Sequence, residues 1–378
     1  MKRKIGEFIK EYSVRNTTDE NIPVYSVTNE NGFCTGYFSK DVSSKDRTTY
    51  KIVPRGCFAY NPSRINVGSV DWQNCEDRVI VSPLYVVFEV SDELDRQYLL
   101  HYLKSDVANA FIRANGAGSV RDNLRFNALS DIPIRFVPVE EQREIVKRID
   151  NVSDLINKGE TIIEKIDQLV KSRFVEMFGD PIENPRGWSY ETMKSICKKI
   201  TDGEHGSVAR EEKGHPFLNA KHIKISGDID WDSVTYTSDE VHERLYKRCN
   251  PEADDIVMTT TGTIGNVAVV PEDSEPFTMD RGITLLKLDK NKVKTLYIAW
   301  LLRQEAIQSI MKANIHASAI GHLFLNKVEQ IPVMMPDMGL QDEFSSFVAQ
   351  TDKSKLAVQK ELEKLELLKK SLMQQYFG

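Results

Sequence analysis

Slid along itself by 199 positions, the 378-residue chain falls into register with its own copy. EKIDQLVKSRFVEMFG (164–179) returns as EKLELLKKSLMQQYFG (363–378), and Ile132-Pro133, Gln142, Glu144, Asn127 and Leu124 return as Ile331-Pro332, Gln341, Glu343, Asn326 and Leu323. The same offset lays DRQYLLHYLKS (95–105) on KTLYIAWLLRQ (294–304) without a gap, and CFAYNPSRI (57–65) on IVMTTTGTI (256–264). A repeat this long means two copies of one domain plan, each long enough to bury its own core. In front of the matched parts, 57 residues (1–57) stand against 77 (180–256), so all the divergence in length lies there.

Near the end of each repeat one long helix is expected, about 38 residues over 141–178 in the first copy. Ile145, Ile149, Val152, Ile156, Ile163, Ile166, Val170 and Met177 recur in steps of three and four, interrupted at Gly159 and Arg173. Pro138 ahead of Glu140, Glu141 and Glu144 marks the start, where acidic side chains suit the helix dipole. The second copy carries Phe344, Val348, Val358, Leu362, Leu365, Leu372 and Tyr376. At 1.5 Å per residue each helix would reach about 57 Å. Either the stripes cover each other or each helix caps its own domain; the former is the expectation. Elsewhere, β-branched and aromatic runs such as RVIVSPLYVVFEV and GITLLKL alternate with turn residues, while 95–114 and 294–313 have helical spacing. The class is α+β: two tandem domains of mixed strands and short helices, each followed by a long helix, the long helices packed as an antiparallel coiled coil.

Chemistry of the common enzymatic kinds is missing from the sequence. No GxxxxGK[ST], GxSxG or HExxH motif occurs, and TTTGTIGN (259–266), whose glycines lie three apart with no lysine after them, reads as a strand leaving through a tight turn. An NPPY-like tetrapeptide is absent, with Asn61-Pro62-Ser63 and Asn184-Pro185-Arg186 in place of one. Five scattered cysteines form no CxxC pair, and the histidines keep no helical ligand spacing, so neither a disulfide framework nor a metal site is expected. No signal-peptide pattern or membrane-length apolar run is present, and the expected location is the cytoplasm. A net charge of −6 opposes nucleic-acid binding by bulk attraction, so any DNA contact must come from local patches or a partner.

Five phrases in order carry a resemblance: LSDIPIRFVPVEEQREIVKRID (129–150), RFVEMFGDPIENPRGWSY (173–190), TDGEHGS (201–207), GHPFLNAKHIKISGDIDW (214–231) and IGHLFLNKVEQIPV (320–333). Together with the duplication, they make the chain resemble the specificity subunit of type I restriction-modification systems over nearly its full length. The resemblance implies target-recognition domains at 1–137 and 180–336 and spacer helices at 138–179 and 337–378. It implies that each domain reads half of a split, asymmetric site in double-stranded DNA and that the chain itself is not catalytic. Two modification subunits would carry S-adenosylmethionine and methylate adenine, and restriction subunits would bring ATP, Mg and translocation. A scaffold that joins proteins through its coiled coil without sequence-specific DNA binding is the alternative. Because no helix precedes the first domain, its N-terminal strand is expected to lean on the C-terminal end near Gly378.

Base reading needs polar side chains on exposed loops. The candidates in the first repeat are Arg15, Asn16, Lys45, Arg47, Asn61, Arg64 and Asn66, with Ser119, Arg121 and Asn123 in the GAGSVRDNLR loop. Those in the second are His205, Ser207, Lys221, His222, Thr259, Thr260, Thr261, Arg281, Ser318 and His322.

Overall fold

The computed structural model describes residues 1–36, 47–116, 123–315 and 321–378. Lys45, Ser119, Arg121 and Ser318 lie outside the described residues. Two compact units result, one of Met1–Glu160 with Lys360–Gly378 and the other of Thr161–Gln359. Whereas the division expected from sequence follows the helix starts, these units cut both long helices near their middles.

In the first unit, β1 (Lys2–Lys4), β2 (Ile9–Glu11), the hairpin β3 (Ser26–Thr28) and β4 (Gly32–Cys34), and β5 (Lys51–Pro54) lead to β6 (Phe58–Tyr60), β7 (Val70–Trp72), β8 (Arg78–Val81) and β9 (Val86–Val90). Short helices α1 (Arg96–Leu103), α2 (Asp106–Gly116) and α3 (Phe126–Ser130) follow, then β10 (Pro133–Arg135) and the long α4 (Val139–Phe178). An antiparallel sheet of order β2-β9-β6-β7 is central. β6 and the middle of β9 are apolar on both faces because each face meets a different core. Phe58, Tyr60, Phe88 and Val90 point to a core shared with the helices, while Ala59 and Val87 point to a smaller one built from the surrounding strands.

The second unit repeats this plan with β11 (Ser189–Thr192), α5 (Met193–Ile196), β12 (Cys197–Asp202), β13 (His215–Leu218), β14 (Thr235–Thr237), α6 (Asp239–Cys249), β15 (Ile256–Thr259) and β16 (Val267–Val269). It continues through β17 (Thr278–Met279), β18 (Ile283–Leu288), α7 (Thr295–Leu302), α8 (Glu305–Ala313), α9 (Leu325–Glu329), β19 (Pro332–Met335) and the long α10 (Met338–Phe377). The central sheet, β12-β18-β15-β16, again divides two cores, with Ile256, Met258 and Leu286 on one side and Val257, Ile283 and Leu285 on the other. β13, β14 and α6 belong to the divergent front portion and were not legible in the sequence; β17, which pairs in parallel with β13, lies beyond it. Ser238 caps α6 by accepting from Val241 N, and Asn250 closes it in the left-handed region.

The offset of 199 holds in three dimensions: α1, α3, α4 and β10 begin 199 residues before α7, α9, α10 and β19. Individual bonds repeat as well. Buried Gln142 accepts from Asp95 N at 2.7 Å and donates to Val137 O at 2.8 Å, while Gln341 accepts from Lys294 N and donates to Pro336 O, each at 2.9 Å. Tyr98 Oη donates to Arg135 O and Tyr297 Oη to Met334 O.

Contacts within each unit show the long helices running antiparallel. Arg148 meets Tyr376 Oη at 3.0 Å and Gly159 abuts Leu362 in the first unit; Asp167 meets Lys355 Nζ at 3.0 Å and Arg173 meets Glu343 at 2.9 Å in the second. Gly159, which breaks the apolar stripe on paper, is buried in the seam: a Cβ there would stand 2.6 Å from Leu362 Cδ2. The stripe is not purely a helix–helix seam, however. Ile145 and Ile149 join the first domain's core and Phe344 and Val348 the second's, whereas Val170 and Met177 enter the second core and Tyr376 the first. Val152 and Ile156 are buried, but Ile163, Ile166, Val358, Leu362, Leu365 and Leu372 are only half-buried. Thus each helix starts on its own repeat's domain and ends in the other's. Phe174, Phe178 and Phe377, as deeply buried as the stripe's own Ile149 and Phe344, were not in the expected stripe. Phe377 packs on Tyr98 and Tyr102, with ring centroids 5.1 and 5.5 Å away, and Phe178 packs on Tyr297 at 4.9 Å. The N-terminal strand pairs with β10, Met1 O accepts from Phe136 N, and Arg135 donates to Gln375 O at 3.3 Å, so the first residues and the last helical turn share one neighbourhood.

Candidate nucleic-acid interface

In the second unit, four loops at one end of the central sheet are laced together through their backbones. Glu204 N donates to Met279 O at 2.9 Å, Arg281 N to Glu204 O at 3.0 Å, Thr260 N to Gly282 O at 2.8 Å and Leu323 N to Thr260 O at 2.9 Å. The approach is so close that a Cβ on Gly203 would collide with the carbonyls of Met279 and Asp280. Polar side chains gather on this lattice. Asp202 bonds His205 Nε2 at 2.8 Å and Arg248 Nη2 at 2.6 Å, Arg244 lies 3.7 Å from Glu204, and Thr261 Oγ1 meets His322 Nδ1 at 2.7 Å. Phe324, 48% exposed, stands edge-on to His322 at 4.8 Å, and the Arg210 guanidinium lies 3.7 Å over the Phe217 ring. Burial and the neighbouring Arg281 cation push the His322 imidazole below its usual range, which keeps it neutral at pH 7.

His205, Thr261, Arg281 and His322 are thereby brought together, while Ser207 and Lys221 are exposed nearby in sequence. Arg210, Arg244 and Arg248 were missed, two of them because α6 was not recognised as a helix carrying basic residues to this end. Three candidates prove to be fold residues. Thr259 and Thr260 are fully buried, with Thr259 Oγ1 donating to Thr263 O and accepting from Asn266 N inside the β15–β16 turn. His222, also fully buried, accepts from Asn219 N at Nδ1 and therefore carries its proton on Nε2, which donates to Ser233 O at 3.1 Å.

That burial lowers the His222 pKa. Between its folded value and the ordinary 6.5 the unfolded chain binds more protons, so stability is complete above pH 6.5 and lost as pH falls below it. Urea midpoints measured between pH 7.5 and 5.5 should decline, and His222→Gln should flatten that decline.

In the first unit two groups of candidates form. Arg15 and Arg47 flank Tyr50, whose carbonyl accepts from Asn16 N at 2.9 Å and whose N–H donates to Arg47 O. Asn16 itself is 1% exposed, and its side chain both accepts from Glu20 N and donates to Glu20 O, so it serves the turn and offers nothing outward. The second group lies where the loop after β6 meets the segment before α3. Ser63 Oγ donates to Asn123 Oδ1 at 2.5 Å and Leu124 N to Pro62 O at 3.1 Å. A cleft of about 470 Å³ lined by Glu11, Asn61, Ser63, Leu84, Asn123 and Arg125 opens here, and a second of about 280 Å³, lined by Thr28, Asn29, Asn61 and Arg64, shares Asn61 with it. Asn66 is half-buried beside Arg64.

Among the described residues no group of three or more His, Cys, Asp or Glu side chains could hold a metal ion, and no helix is long and apolar enough to cross a membrane. The sites hold amides, hydroxyls, imidazoles and guanidinia, groups suited to base edges and phosphates, together with the carboxylates Asp202, Glu204 and Glu11. The sequence model of the type I restriction modification DNA specificity domain matches residues 3–168 and again 186–367. The chain belongs to that family. Its two specificity domains correspond to the two structural repeats. Similar proteins include a putative type I restriction enzyme MjaX specificity subunit of Methanocaldococcus jannaschii, 24% identical over 52% of this chain and 46% of that one, and the type I restriction enzyme EcoBI specificity subunit of Escherichia coli, 22% identical over 62% and 55%. The aligned stretches thus span about half the length of these two relatives. Two solved structures share the fold over the whole chain. One, reported for complex assembly and conformational transition of the type I R-M system, has a TM-score of 0.57 at 15% identity and is covered to 97%; the other, a type I S subunit from M. genitalium, has 0.55 at 18% and is covered to 96%.

Proposed function

We propose that this chain is the non-catalytic DNA-specificity subunit of a type I restriction-modification assembly, each specificity domain reading one half of a bipartite target. The observation that carries this reading is a shared scaffold with different loop chemistry at the same place: Asn, Ser and Arg at the first domain's sheet end, and His, Thr, Arg and Phe at the second's. Different side chains on one frame are what an asymmetric site requires. Adenine methylation then falls to two docked modification subunits carrying S-adenosylmethionine, and ATP- and Mg-dependent translocation to restriction subunits. Phosphate grip from those partners offsets the net charge of −6. The cytoplasm is the expected compartment.

The test is selection from randomised duplexes by the full chain co-purified with the methyltransferase subunits of its host, followed by mapping of methylated adenines. A split motif with two unlike halves is expected. Retention of partner proteins without any enriched DNA motif would instead favour the scaffold reading, in which the long helices only join proteins.

A further inference from the structure

The two domains hold a matching three-part module at this end. A leucine, Leu124 or Leu323, each 1% exposed, is sunk into the core and anchored through its N–H to Pro62 O or Thr260 O. The residue before it is tied to a hydroxyl from the strand-exit loop: Asn123 to Ser63 at 2.5 Å, His322 to Thr261 at 2.7 Å. The residue after it, Arg125 or Phe324, is exposed at the start of α3 or α9. Asn123 and His322 are 199 apart, as are Arg125 and Phe324, whereas the hydroxyls Ser63 and Thr261 are 198 apart and so reach the same place from loops one residue out of step. A hydroxyl regained after such a slip, at the point where the neighbouring side chains change chemistry, marks a held position with variable content.

We propose that Asn123 with Arg125, and His322 with Phe324, are corresponding specificity-determining pairs of the two domains, each oriented by its hydroxyl partner, Ser63 or Thr261. The inference rests on the DNA-reading function above and narrows it to two loci. Asn and Arg present paired hydrogen-bonding edges suited to adenine and guanine respectively, so the first locus reads purines through the major groove. At the second, neutral His322 contributes a single ring nitrogen and Phe324 only an apolar edge, which suits a thymine methyl. A hydroxyl that pins the reading side chain lowers the ordering cost of binding and sharpens discrimination.

The experiment repeats the duplex selection with three variants of the full chain in its methyltransferase complex. His322→Asn with Phe324→Arg should change the selected motif at adjacent positions of one half only, with about a tenfold or greater shift in base preference there. Asn123→His with Arg125→Phe should do the same in the other half. Thr261→Val, the least disruptive, should broaden preference at the His322 position while leaving the second half-site otherwise intact, and it keeps the test alive if a double variant does not fold. A wild-type motif selected unchanged by folded double variants overturns the assignment yet leaves DNA reading standing. Absence of any motif from the wild-type complex removes both.

Discussion

Phe377→Ala should destabilise the first unit by about 3–5 kcal/mol, the range for truncating a fully buried phenylalanine. The side chain is 1% exposed and sits against Tyr98 and Tyr102, in a core that also holds Ile145, Ile149 and Tyr376. Those tyrosines are spoken for at their hydroxyls, with Tyr98 donating to Arg135 O and Tyr102 to Pro133 O, so swinging inward to refill the space would break a part-buried hydrogen bond each. Because β10 supplies both carbonyls and also holds β1, loss should propagate to the N-terminal strand. Hydrogen exchange should show faster opening of β1 and β10, while β11 and β19, which rely on Phe178 in the same way, keep their protection. Equal loosening of both units, or none, would contradict the assignment of each helix end to the other repeat's core.

Arg281→Glu should weaken DNA binding of the assembled complex by about 1–3 kcal/mol, roughly 5- to 150-fold. Arg281 is exposed, its backbone is fixed by Glu204 O, and the adjacent Asp280 carboxylate is half committed to Gly282 N at 2.9 Å, with burial raising its pKa. The position is thus rigid while the guanidinium faces solvent. Salt titration separates its two possible duties. A phosphate contact would lower the salt slope by about 1 and affect all sequences alike, whereas a base contact would relax one position of the motif and leave the slope in place. Unchanged affinity and motif would take Arg281 out of the interface.

The duplicated scaffold was legible because its spacing is written twice, so weak signals in one copy were confirmed in the other. The Gln142 and Gln341 brackets, the paired short helices and the forty-residue helices all follow from that register. The front portions offered no second reading. There α6, β13 and β14 went unseen, and with α6 went Arg244 and Arg248. Residue type also does not reveal side. Asn16, His222, Thr259 and Thr260 have the chemistry of base readers but spend it inside the fold, as their side-chain partners Glu20, Asn219, Asn266 and Thr284 show. The apolar stripe located the helices and part of their anchoring but not Phe174, Phe178 or Phe377, which fall off the heptad and pack on Tyr297 of α7, on Phe344 of α10, and on Tyr98 and Tyr102 of α1.

The exchange of helix ends sets an order of assembly. During synthesis the second unit has every segment it needs once Gln359 has emerged, although more than half of the first unit was made long before. Until residues 360–377 follow, Tyr98 and Tyr102 lack their cover, and the earlier-made domain waits in a loosened form for a contact between positions far apart in sequence. The half translated first is the half that matures last.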